Sequence, residues 1–67
     1  MHLTSRAVFM TRPSIRLVVG EDQPLMRQAM VDEFRSYPGV EVVGMAGTIP
    51  ELEQILRQTE PDMLVLE

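Results

Sequence analysis

The sequence has no cysteine, which excludes disulfides, thiolate nucleophiles and zinc–thiolate sites. It has no lysine either, so all six basic residues are arginines. No apolar run approaches the roughly 18 residues that a membrane-spanning helix needs. Arg6 and Arg12 flank a short "AVFM", too short for the apolar core of a signal peptide, so a cytoplasmic location is expected. No glycine pattern matches G-x-G-x-x-G or a phosphate-binding Walker loop, which argues against nucleotide binding. Six bases against ten acids leave a net charge of −4, which argues against direct nucleic-acid binding by this segment. There are no internal repeats and no low-complexity stretches. His2 is the one histidine, and in a polar tail it is expected to be inert.

What remains is an ordinary globular composition, 45% apolar, in 67 residues. That length allows one domain, which would bury only about 60% of its unfolded surface and be marginal alone. Residues 1–14 lack periodicity and read as a flexible N-terminal tail, with Met10 a sensible alternative start. Residues 15–67 read as alternating strands and helices. "IRLVVG" (15–20) is nearly continuous in apolar character, the pattern of a strand buried on both faces. Pro24 suits a first helical turn, and Leu25, Met26, Ala29, Met30 and Phe34 recur at helical spacing over 25–36. Pro38 ends that helix, with Tyr37 partly buried at its end. "VEVVG" (40–44) is a second strand. "TIPE" predicts a helix start, with Thr48 as cap and Glu51 completing a capping box, followed by a buried stripe of Leu52, Ile55 and Leu56. Pro61 follows that helix, and "DMLVLE" is a third strand. Gly20, Gly39, Gly44 and Gly47 fall at strand or turn ends, and Met26, Met30 and Met63 read as core filler.

A β-α-β-α-β order predicts an α/β fold with a parallel sheet and right-handed crossovers. With the strands ordered second-first-third, the helices lie on opposite faces. A crevice then opens at the carboxyl ends of the first and third strands, where ligands favour the switch point. Glu21, Asp22 and Glu67 stand at those ends. An acidic pair before a helix is equally at home as a cap and dipole partner. A third carboxylate at the same place shifts the reading toward a hard divalent cation, and magnesium suits one or two carboxylates with water and phosphate.

The pieces "VVGEDQPLMR", "VEVVGMAGT" and "EPDMLVLE", in this order and spacing, resemble the N-terminal half of a bacterial response-regulator receiver domain. The likeness is strongest to receivers joined to a LuxR/NarL-like helix-turn-helix, and it covers residues 15–67. It implies the first half of a flavodoxin-like, doubly wound sheet. It also implies Mg2+ on Glu21, Asp22 and Glu67, a sensor histidine kinase as partner, and transcription control through a DNA-binding output domain outside this segment. Glu67 falls on the phosphoacceptor position, where the family carries aspartate. Its carboxylate is one methylene longer and displaced for in-line transfer, which makes the position degenerate.

The family also uses a Ser or Thr after a fourth strand and a Lys after a fifth, and neither is present here. These 67 residues by themselves are therefore not expected to work as a phospho-switch. The alternative is a stand-alone, non-phosphorylatable pseudo-receiver serving as an interaction or dimerisation module. An apolar third strand with an open edge would then pair with another copy or another receiver. A small magnesium-dependent enzyme is the weakest reading, since no nucleophile, positioned general base or oxyanion donor is evident, and no catalytic residue is assigned.

Overall fold

The computed structural model describes residues 14–67. The expected tail, apart from Ser14, and His2 lie outside the described residues. Five elements follow in the order β1 (Ile15–Gly20), α1 (Pro24–Arg35), β2 (Val40–Ala46), α2 (Ile49–Thr59) and β3 (Met63–Leu66). The strands form one parallel sheet in the order β2-β1-β3, the α/β arrangement and the strand order expected from the sequence.

β1 is central, and its side chains serve two cores. Leu17 and Val19 face one side, where Val31, Met30 and Phe34 of α1 cover them together with Val40, Val42 and Val65. Val18 faces the other side with Ala46, and Leu52, Ile55 and Leu56 of α2 cover it with Val43. Leu17, Val18 and Val19 are 0–2% exposed, which is why β1 shows no alternation of apolar and polar residues.

β2 runs to Ala46, two residues past the expected end at Gly44. Its pairing with β1 shifts within the strand: Leu17 meets Val42, while Val18 meets Gly44, leaving Val43 as the extra residue of a bulge. Gly44 is thus not a strand end. A Cβ there would approach Ile55 Cγ2 to 2.6 Å, so the missing side chain lets α2 lie close on the sheet.

The two helices meet their expected patterns unequally. In α2 the stripe of Leu52, Ile55 and Leu56 faces the sheet as expected. In α1 the buried residue is Val31, which the apolar spacing did not single out. Leu25 is 87% exposed and Met26 49%, and Ala29 is exposed too. The inward stripe is Arg27, Met30, Val31 and Phe34, and its leading polar residue disguised the phase. Met63, at 50% exposed, is likewise not core filler among the described residues. Tyr37 is exposed rather than partly buried. Its hydroxyl donates to Glu33 Oε2 at 2.7 Å, and Phe34 meets its ring edge-on. That hydrogen bond, then the Glu33 charge, pushes the Tyr37 pKa up.

Candidate carboxylate cleft at the strand ends

The site is built from backbone first. Beyond Gly20 the ladder continues for one residue on each side of β1. The Glu21 N–H donates to the Ala46 carbonyl at 3.0 Å, and the Glu67 N–H donates to the Gly20 carbonyl at 3.2 Å. Two acids of the three are therefore tied by their main chain to the ends of neighbouring strands. Glu21, Asp22 and Glu67 together line one cleft of about 300 Å³, closed on the α2 side by Gly47, Thr48 and Leu52. The switch point inferred from the strand order is a real concavity.

Glu21 is 8% exposed, the one buried charged residue among the described residues, while Asp22 and Glu67 are exposed. Glu21 Oε2 accepts the Gln23 N–H at 2.9 Å, which satisfies an amide at the start of α1. Gln23 itself occupies the N-cap position without a side-chain cap bond. Glu21 thus serves as a helix-end partner and as a cleft carboxylate at once.

Sharing a cleft is not the same as forming a ligand set. Among the described residues no group of three His, Cys, Asp or Glu side chains stands together as a metal site. The expected convergence of three carboxylates on one ion is therefore not formed by the side chains as they stand. The donor set still suits magnesium, which typically takes one or two protein carboxylates and fills its other positions with water or phosphate oxygens.

The sequence reading missed two residues that shape the cleft. Arg27, half-buried on the inward stripe of α1, donates from Nη1 to the Glu21 carbonyl at 2.9 Å. Its guanidinium also lies against Gly47. Glu51 was read as one half of a capping box, and its Oε1 accepts the Gly47 N–H at 2.9 Å. Thr48 Oγ1 accepts the Glu51 N–H at 3.3 Å, which is the expected first half of the box, while the Glu51 carboxylate reaches back one residue further, to Gly47 instead of Thr48. The Gly47 hydrogen bond, with smaller help from Thr48 and the Arg27 charge, holds the Glu51 carboxyl below its usual range. The signal for Arg27 was its spacing of three, four and seven residues before Met30, Val31 and Phe34.

Over 54 residues the chain is 28% identical to the transcriptional regulatory protein CitB of Klebsiella pneumoniae. Over 52 residues it is 36% identical to a protein-glutamate methylesterase/protein-glutamine glutaminase of Agrobacterium fabrum, and over 53 residues 34% identical to one of Thiobacillus denitrificans. These stretches take in 78–81% of this chain. With the β2-β1-β3 sheet, they decide the family. The segment is a partial response-regulator receiver domain.

The matched stretch is 15–23% of the length of these relatives, so this receiver segment spans less than a quarter of any of them. No family model matches it, and no solved structure matches it at comparable stringency. Among the described residues no helix of the receiver segment is long and apolar enough to cross a membrane.

Proposed function

We propose that this receiver segment works in cytoplasmic phosphorelay signalling, with Glu21 and Asp22 as carboxylate ligands for Mg2+ and Glu67 at the phosphoacceptor position. The observation that carries the reading is the cleft itself. Three acids distant in sequence line one concavity at the carboxyl end of a parallel sheet. The partner that fits is a sensor histidine kinase, whose phosphoryl group would be drawn to a cation held in the cleft. When bound, magnesium would offset the charge on the phosphoryl oxygens. The chain's own part is to fix the acids: Glu21 through Ala46, and Glu67 through Gly20. A transcriptional regulator and two esterases share the matched stretch, so what it supplies is the input they hold in common rather than any one output. A DNA-binding output domain is the extension we favour for this chain, and we assign the segment itself no catalytic activity.

Glu67 favours a second reading. A glutamate in place of aspartate is one methylene longer and displaces the acceptor oxygen from the in-line position. The segment would then be a non-phosphorylatable pseudo-receiver, pairing with itself or another receiver through β3, where Met63, Leu64 and Leu66 are exposed. The test is incubation of the full chain with Mg2+ and a small-molecule phosphodonor, read by intact mass. Gain of one phosphoryl group, lost in Glu67→Gln, supports the relay. Mg2+ binding without phosphoryl transfer, together with a dimer by light scattering, supports the pseudo-receiver. Absence of Mg2+ binding would remove both the metal ligands and the relay.

A further inference from the structure

We propose that Arg27 is a positioning residue of the carboxylate cleft, latching the β1–α1 loop to the β2–α2 loop; this rests on the reading of Glu21 and Asp22 as cation ligands. Two loops form the walls of the cleft, and they are far apart in sequence. One carries Glu21 and Asp22, and the other carries Gly47 and Thr48. The Arg27 side chain reaches from α1 and touches both. Its Nη1 donates to the Glu21 carbonyl at 2.9 Å, and the guanidinium lies against Gly47.

The fit at Gly47 is tight. A Cβ there would fall on the Arg27 guanidinium, so glycine is needed for the arginine to lie where it does. Gly47 is held from its other side as well, by its N–H on Glu51 Oε1 at 2.9 Å. A chain of contacts therefore runs Glu21–Arg27–Gly47–Glu51, from β1 to the first turn of α2. The guanidinium donates to the main chain of Glu21 rather than to its carboxylate, so the carboxylate stays available to the cleft. Partners behind a metal ligand typically set its orientation and its affinity.

The sign of the effect separates positioning from simple charge. Arg27 is a cation near a cation site, so by Coulomb's law its removal should tighten divalent binding. A positioning role predicts the reverse. The experiment uses the full chain with Mn2+ as a probe for the divalent site, read by water-proton relaxation. Amide hydrogen exchange of the metal-free protein at residues 21–23 and 47–48 is the second readout. Arg27→Gln is expected to weaken Mn2+ binding about tenfold, the low end for losing a partner behind a metal ligand. It should also speed exchange in both loops while the thermal midpoint changes little. Gly47→Ala, which displaces the guanidinium without touching its charge, should do the same, and the double variant should be no worse than either single one. Arg27→Lys should be intermediate, since an ammonium can donate to the carbonyl but lacks the extended guanidinium that reaches Gly47.

Unchanged or tighter Mn2+ binding in Arg27→Gln overturns the proposal, as does weaker binding with unchanged loop exchange. If the unaltered chain binds no Mn2+, the ligand reading fails by itself. The latch then stands or falls on exchange: faster amides in both loops support it, and unchanged amides overturn it.

Discussion

The two helices flank the same strand but are secured by different means. α2 has Thr48 capping it, Glu51 bonded back to Gly47, and a stripe of Leu52, Ile55 and Leu56 in phase with its buried face. At its far end Glu60 takes the left-handed conformation (φ 47°) and donates its N–H to the Leu56 carbonyl, while Arg16 donates to the Thr59 and Glu60 carbonyls. α1 has no side-chain cap from Gln23 and no acid in its first turn, and its buried face is centred on Val31. Local chemistry and burial agree in α2. In α1 the apolar residues Leu25 and Met26 point outward, and the sheet decides which face is buried. A helix is thus most legible where its caps and stripe tell the same story.

The sharpest way to break this comparison is on α1. Val31→Asp buries a charge with no partner and should cost at least about 3 kcal/mol, enough to unfold a small domain. Leu25→Asp, at a position equally apolar in sequence, should leave stability within about 0.5 kcal/mol. Urea unfolding of the two variants measures both, and equal losses would mean that α1 packs in the phase its sequence suggested. Next in size, Leu52→Ala should cost about 2–5 kcal/mol by opening a cavity on the α2 face. A loss well below 1 kcal/mol would show that this face tolerates repacking. Smaller still, Thr48→Ala should cost about 1 kcal/mol through its lost cap, whereas Gln23→Ala should cost almost nothing, because Gln23 makes no cap bond. Equal midpoint shifts in thermal melts would remove the distinction between the two helix starts.

The smallest effect is acid dependence at the start of α2. The folded Glu51 carboxyl lies below its ordinary value of 4.5, chiefly because it accepts the Gly47 N–H. Its contribution is present above that ordinary value and is lost as pH falls through the folded one. Glu51→Gln should therefore flatten part of the stability loss below pH 4.5 and leave the behaviour near neutrality unchanged. An acid unfolding curve that keeps its shape would place the bond to Gly47 outside the folded ensemble in water.

Much of the cleft was legible in the sequence. Glu21, Asp22 and Glu67 followed from strand–helix alternation and one assumed strand order, and they do line one cavity. Their arrangement was not legible, because side-chain direction at a strand end depends on what else is bonded there. Glu21 turns to the Gln23 N–H, and no triad of ligands results among the described residues. The extension of β2 beyond Gly44 was hidden for a related reason. A glycine reads locally as a break, while the ladder with β1 and the approach of Ile55 are contacts with distant residues.

By itself the sequence determined the element order, the parallel α/β class, the buried β1, the phase of α2 and the acids at the strand ends. Each of these is fixed by neighbours within a few residues, through periodicity, caps and turn chemistry. Only the tertiary structure decided the phase of α1, the bulge at Val43 and the placing of Arg27 between two loops. Those depend on which surfaces meet after the chain has closed on itself, and a half-buried arginine among apolar residues carries no local mark of the carbonyl it will find.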